Sequence, residues 1–454
     1  LAKNKKPIET EILIENIEFP NFGIGYHEDK TVKIKNCIPG QKLNVRVYRK
    51  RRKFEGTVLE KISPASYEIK PKCEDFLVCG GCTFQNISYE DELRLKKQMV
   101  TNIFENDKIT LPEDFTVQNS PCIEGYRNKM EYSFGDDGID GNLSLGMRKM
   151  NSFYEVVTSK DCNIVDKDYQ KIVNGTLNYF KSKGTKFYHK KTQQGTLRHL
   201  VVRKGHFTNE IFINLVTANK TDSSFHIGDW IDVLLNLELE SKIVGITHSV
   251  NYSVGDVVQA DEFYVLYGYD FFTDKLFDLK FKISAFSFFQ TNSAGAEKLY
   301  SIVKDFPGNI QDKTIFDLYC GTGTIAQVLS RNAKKVIGVE IVEEAIIKAR
   351  ENAKLNNIEN CEFIVGDVLK VVEEIDEKPE IIVVDPPRNG IHQKALEKII
   401  AFGAEKIIYI SCKPTSLTRD LKILFEHGYK MEKITSLDMF PRTYHVETVA
   451  LLSR

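Results

Sequence analysis

The sequence contains no apolar run approaching the roughly 18 residues that a membrane-spanning helix requires. Its first residues, LAKNKKPIET, lack the apolar core of a secretory signal. Together these absences predict a cytosolic protein without a membrane partner. Net charge is missing as well: 62 Lys and Arg stand against 63 Asp and Glu, a formal charge of −1. The chain as a whole therefore gives no electrostatic case for binding a polyanion. Repeats and low-complexity tracts are absent, which argues against a solenoid. Cysteine is not scarce, at nine residues. In a cytosolic chain that points to metal binding or catalysis ahead of disulfides.

What is present is ordinary globular material, 42% hydrophobic and 28% charged. At 454 residues, and roughly 100–200 residues per domain, two to four domains are expected. Charge is unevenly placed. Residues 1–72 hold 16 Lys and Arg but only 9 Asp and Glu, with a concentration in VYRKRRKFEG. A basic end on a neutral chain suits a nucleic-acid module. A solvated charged hairpin is the plainer reading. IETEILIENI, KTVKIKN, QKLNVRVYRK and FEGTVLEKI alternate apolar and polar residues, with NFGIG and IPGQ between them. Short strands at this spacing predict a small OB-type barrel over residues 1–63, and SPAS, Ser63 to Ser66, reads as the exit linker.

Residues 64–280 mix strand-like and helical segments, a central α+β domain. From residue 281 to 454 the pattern is regular. KTIFDLY, KVIGVE, CEFIVGD, EIIVVD and KIIYIS read as buried strands with helices between them, and VETVALLSR as a last strand. That alternation predicts a doubly wound α/β sheet.

Chemistry-bearing residues collect where those strands end. DLYCGTGTIA places Gly321 and Gly323 between a strand and a helix, where a backbone can turn tightly and approach a ligand. Glu340 ends the next strand, where an acid can bind ribose hydroxyls. Asp385 ends the fourth strand, and Pro386 and Pro387 stiffen the turn after it. Cys412 ends the fifth, just before the helix SLTRDLKILF, whose positive end favours a thiolate. If the last strand runs antiparallel, Glu447 at its start comes towards Cys412, as a base beside a nucleophile. A buried packing cysteine is the alternative.

PKCEDFLVCGGCTFQ places Cys73, Cys79 and Cys82 on one Gly-bearing loop. Three thiols with a C-x-x-C step suggest a metal centre, with zinc and iron–sulfur both compatible. Cys122 and Cys162 are both available as a fourth ligand. EGYRNKMEYSF and GTLRHLVVR interleave cations and aromatics, a composition suited to gripping RNA or, more plainly, to half-buried strands with charged outer faces.

The combination DLYCGTGTIA, DPPRNGIH, ISCKPTSLTRDL and HVETVALL, with FSFFQTN ahead of the first sheet strand, resembles the RNA 5-methyluridine methyltransferases that use S-adenosylmethionine. The resemblance runs over nearly the whole chain. It is closest to the large-subunit (23S) ribosomal RNA branch, which carries an N-terminal TRAM domain and a [4Fe–4S] cluster, features the tRNA branch typically lacks. The resemblance implies Cys412 as nucleophile and Glu447 as base. It implies Gln290, Tyr319, Glu340 and Asp385 as contacts to the methyl donor, with Asp367 a weaker candidate. It selects Cys162 as fourth ligand and [4Fe–4S] as the metal centre. Cys320 and Cys361 match no catalytic position and read as packing residues. The implied partner is 23S rRNA, met as a single-stranded or flipped-out uridine by a monomer with no protein partner. A tRNA methyltransferase is the second reading. An RNA-binding assembly factor with a silent methyltransferase fold is the third.

Overall fold

The structure is a computed structural model that describes residues 7–50, 53–138, 141–152, 154–219, 224–255, 257–371 and 375–454. Arg51 and Arg52 of the basic run lie outside the described residues.

The N-terminal strands are β1 (Ile8–Leu13), β2 (Asn16–Glu18), β3 (Phe22–His27), β4 (Lys30–Lys35), β5 (Lys42–Lys50) and β6 (Lys53–Ser63). They form one sheet in the order β1-β5-β6-β4-β3-β2. Alternation works as expected. Val32 and Ile34 of β4 meet Leu43, Val45 and Val47 of β5 in a common core. NFGIG is a strand and not a separator. Its glycines serve close approach: a Cβ on Gly25 would stand 2.6 Å from the Leu13 carbonyl oxygen of β1. Nor is SPAS a free linker, because Ala65 packs with Ile17, Phe84, Leu95 and Met99.

Helix α1 (Tyr89–Asn106) follows, then the short β7 (Val117–Gln118). A seven-stranded sheet comes next, built from β8 (Lys129–Asp136), β9 (Leu143–Arg148), β10 (Val156–Val157), β11 (Leu197–Lys204), β12 (Glu210–Ala218), β13 (Lys242–Asn251) and β14 (Glu262–Gly268). Helices α2 (Lys167–Lys183) and α3 (Gly228–Leu235) cover it, with the Phe180 and Trp230 rings tilted against each other in the core. The expected RNA grip fails for Arg198, Arg203, Tyr126 and Tyr132, whereas Arg127 and Lys129 stay half-exposed. Every residue of β11 is buried. Arg198 donates to the carbonyls of Asn251 (3.1 Å) and Ser253 (2.6 Å). Arg203 donates to those of Ser284 and Ser287, each at 2.8 Å. Tyr126 and Tyr132 are buried too, so these cations and rings brace the protein.

A hairpin of β15 (Phe271–Leu276) and β16 (Leu279–Ser284) leads into α4 (Ser293–Asp305). The last sheet uses β17 (Thr314–Leu318), β18 (Lys335–Glu340), β19 (Cys361–Val365), β20 (Ile381–Val384), β21 (Lys406–Ser411), β22 (Lys430–Leu437) and β23 (Glu447–Ser453). Between them lie α5 (Thr324–Ser330), α6 (Glu343–Leu355), α7 (Val368–Val371), α8 (Gln393–Ala401) and α9 (Pro414–Glu426). The order is β19-β18-β17-β20-β21-β23-β22-β7, parallel from β19 to β21. Both faces are covered. Ile315 packs with α4, α5 and α6, and its neighbour Phe316 with α1, α8 and α9, the alternation expected of a strand. No helix among the described residues is long and apolar enough to cross a membrane.

Candidate active site

The chain runs outward from β17 through β18 to β19, then returns to β20 on the other side of β17. Such a switch of direction opens a crevice at the carboxyl ends of the strands. The turn after β17 lines it. Tyr319, Gly321 and Gly323 all have positive φ, at 65°, 54° and 70°. At Gly323 the reason is space, since a Cβ would lie 2.5 Å from the Phe363 ring. At Tyr319 a large residue holds a strained conformation. Glu340 fixes this turn by accepting the Gly321 N–H (3.1 Å), while its other oxygen accepts those of Ile341 (2.8 Å) and Val342 (3.1 Å). Thr322 ties in the FSFFQTN segment through the Phe288 carbonyl, at 3.2 Å. Gln290 and Thr324 share the buried Tyr300 hydroxyl. Asp367 caps the Leu369 N–H (3.0 Å) and lies within electrostatic reach of Tyr319.

The second half of the site lies across β20, β21 and β23. β23 runs antiparallel to β21 and pairs Thr448 with Ser411. The residues one step further, Cys412 and Glu447, therefore oppose each other at the strand ends. α9 holds the turn 385–391 beside them. Ser416 donates to the Arg388 carbonyl (3.2 Å), Arg419 to that of Asn389 (2.9 Å), and Asp420 accepts the Ile391 N–H (2.8 Å).

The electrostatics differ from the thiolate expected at a helix start. Burial, then Glu447 and Asp385, push the Cys412 thiol up to about 11, and Arg388 only partly opposes them. Glu447 is raised well above the carboxylate range by burial and by Asp385, again against Arg388. Burial alone lifts Asp385 to about 7. Asp317, at the end of β17, rises to about 8 through burial and Asp385. It accepts the Ala326 N–H of α5 at 2.9 Å. The local pull of one helix end is worth well under a typical burial penalty, so the longer-range terms win. His445, lowered to about 4 by burial and by Arg388, is neutral at pH 7.

Sequence reasoning missed Arg388 and Asp317, although both stand inside the quoted motifs. Arg388 is the cation that bears on Cys412 and Glu447 together. Its replacement by Met should move the pH dependence of Cys412 alkylation by iodoacetamide to higher pH. An unshifted profile would mean that Arg388 does not act on the thiol.

The proposed metal ligands lie elsewhere, beside the central sheet, where Cys82 and Cys162 pack against its core. Cys73 is buried; Cys79, Cys82 and Cys162 are half-buried, and all are free thiols. Burial raises Cys82 to about 12 and Cys162 to about 11, and Cys73 and Cys79 lie within electrostatic reach of each. Among the described residues, no three His, Cys, Asp or Glu side chains are arranged to hold a metal ion. The structure thus brings the four thiols near one another without forming a coordination site. Cys122 packs against the central core, Cys320 lies in the core beside β17, and Cys361 packs at its edge.

The model of the family described as tRNA (uracil-5-)-methyltransferase matches residues 88–454. An uncharacterized RNA methyltransferase of Clostridium tetani is 47% identical over 451 residues, 99% of this chain and 98% of its own. Another, from Clostridium acetobutylicum, is 48% identical over 445 residues, covering 98% and 97%. Among solved structures, the Pyrococcus abyssi tRNA (uracil-54, C5)-methyltransferase in complex with S-adenosyl-L-homocysteine is 26% identical with a TM-score of 0.77, covering 97% of this chain and 100% of its own. With the β17–β20 crevice and the facing cysteine and glutamate, these likenesses identify the chain as a member of the tRNA (uracil-5-)-methyltransferase family, the RNA 5-methyluridine methyltransferases.

Proposed function

We propose that this protein methylates C5 of a uridine in RNA, with Cys412 as nucleophile and Glu447 as base. The observation that carries the reading is the antiparallel pairing of β21 with β23, which sets the two residues opposite each other beside Asp385. When bound, S-adenosylmethionine supplies an electrophilic methyl group. Gln290, Tyr319, Glu340 and Asp385 are the residues we assign to hold it, with Asp367 as a further candidate. Cys412, as the thiolate, would add to C6 of the uracil, making C5 enolate-like and able to accept the methyl group, with the donor's sulfur leaving as a neutral thioether. Glu447 then takes the C5 proton, and elimination frees Cys412. Positive charge in the site, as from Arg388, lowers the acids that burial has raised.

The division of labour we assign is RNA binding by residues 1–63 and 64–280, and methyl transfer by 281–454, whose sheet is completed by β7 from the preceding region. The RNA we assign is 23S rRNA, on the joint presence of the N-terminal β-sheet and the thiol-bearing loop. One observation favours tRNA instead. The Pyrococcus abyssi enzyme, described as acting on tRNA, aligns with 97% of this chain, so an N-terminal β-domain does not separate the two substrates. Purified protein with labelled methyl donor should label uridine C5 in unmodified 23S rRNA; label confined to tRNA would assign the second reading.

We further propose that Cys73, Cys79, Cys82 and Cys162 hold a [4Fe–4S] cluster. Four soft thiols within electrostatic reach of one another suit it, and bound iron would offset the burial that keeps them protonated. Anaerobically purified protein should contain about four iron and four sulfide per chain, lost in Cys82→Ala and retained in Cys122→Ala. Stoichiometric zinc without iron would overturn the assignment.

A further inference from the structure

Glu447 opens β23, so its placement depends on the irregular segment 438–446 that leads into that strand. One residue of this segment, Arg442, is held through its N–H, its carbonyl and one guanidinium nitrogen, while its buried Nε has no partner among the described residues. Its backbone is left-handed, φ 69°, a strained state for a residue with a side chain. Its carbonyl accepts the N–H groups of Thr83 (2.7 Å) and Phe84 (3.0 Å). Its own N–H donates to Glu92 Oε1 at 2.7 Å. Nη1 donates to the carbonyls of Ile87 (3.1 Å) and Phe84 (3.4 Å), and to Glu92 Oε2 (3.4 Å). Around it, Lys96 of α1 donates to Glu92 (2.8 Å), to Asp438 (2.7 Å) and to the Phe440 carbonyl (3.4 Å). Glu92, Lys96 and Asp438 are fully buried. Tyr126 binds the Pro441 carbonyl at 2.8 Å, and Asn292 that of Met439 at 2.8 Å.

A buried ionic network is weak support for stability, because desolvation cancels much of its attraction. It does fix geometry, and here the fixed segment lies between two functional regions. On one side is Glu447. On the other, Thr83 and Phe84 directly follow Cys82 on the thiol-bearing loop. Strain, buried charge and a base in one connection are the ingredients of a preorganised site.

We propose that Arg442 is a positioning residue, which sets the Glu447 carboxyl against Cys412 and makes that placement depend on the thiol-bearing loop through Thr83 and Phe84. The inference rests on the reading of Glu447 as base. Its test uses the full-length protein and three measurements on Arg442→Met and Arg442→Lys. The first is methyl-donor affinity. The second is the rate of covalent capture of RNA carrying 5-fluorouridine, which reports Cys412 attack and not proton removal, because fluorine cannot leave as a proton does. The third is turnover on the uridine RNA. For Arg442→Met, affinity and capture should stay within about twofold while turnover falls at least about tenfold and methylated adduct accumulates. Arg442→Lys should recover part of the turnover. Exchange of the Thr83 and Phe84 amide protons should quicken in Arg442→Met. Equal losses in all three measurements would show a merely structural residue, and unchanged turnover would show no role; either overturns the inference. Should Arg442→Met not fold, Glu92→Gln loosens the same clamp and is read by the same measurements. Glu447→Gln run in parallel separates the two claims. If it accumulates adduct and Arg442→Met does not, only the positioning role fails; if it accumulates none, the base reading fails first.

Discussion

Cys412→Ala should abolish methyl transfer, a loss on the order of 10⁴-fold or more as expected when a covalent nucleophile is removed. Uracil C5 is a poor partner for a methyl donor until a nucleophile has added at C6. The same substitution should remove every RNA–protein adduct. Methyl-donor binding, measured by calorimetry, should persist, because the residues assigned to it lie at the ends of β17, β18 and β20 and in the FSFFQTN segment. The environment of the thiol sharpens this prediction. With burial, Glu447 and Asp385 pushing its pKa up to about 11, the thiol is overwhelmingly protonated at pH 7. Adduct formation with 5-fluorouridine RNA should therefore accelerate as pH rises from 7 towards 9. A flat profile would mean that bound substrates have already brought the thiol down, or that attack is not limiting.

Glu447→Gln should slow turnover by about 10²–10⁴-fold and leave a different signature. Glutamine keeps the size and polarity of the side chain but cannot take the C5 proton. Addition and methylation still proceed, so methylated RNA should remain attached to the protein and run as a shifted band on a denaturing gel. Wild-type turnover with no shifted band would require another base, with Asp385 the other acid that bears on Cys412. His445 is a poor substitute, since nothing in its surroundings raises its affinity for a proton.

Much of the catalytic half was legible because its strands are buried on both faces. Runs such as Ile381–Val384 and the IIYI of Lys406–Ser411 are apolar and buried, bounded by acids and glycines, and leave little choice of element. β22 was not legible. Lys430–Leu437 is exposed over its first half, and it takes its identity from pairing with β23. β7 is two residues long and exists only as an edge completed by tertiary contact. β3 was hidden by its glycines, which read as a turn when they serve the close approach of two strands.

The site divides in the same way. Cys412, Glu447 and the glycine turn stand at element boundaries and carry local signals. Arg388 sits in a turn where a charge reads as solvated, and only the fold places it against Cys412 and Glu447. Arg198 and Arg203 fail in the opposite sense. They read as cations for RNA, yet both are buried and donate to carbonyl oxygens of residues 251–253 and 284–287. No local pattern announces carbonyl partners so far away in sequence. The thiol pKa shows the same limit: a helix start is visible in the sequence, whereas burial beside two carboxyl groups is not.

The most direct test of the account is to trap wild-type protein on its RNA with 5-fluorouridine at the target position, digest the adduct and locate the nucleotide by mass spectrometry. The account predicts a single modified peptide, with a 5-methyl-5-fluoro pyrimidine joined through C6 to the sulfur of Cys412. A nucleotide on any other cysteine, or methylation of uridine C5 by protein that forms no adduct, would contradict it.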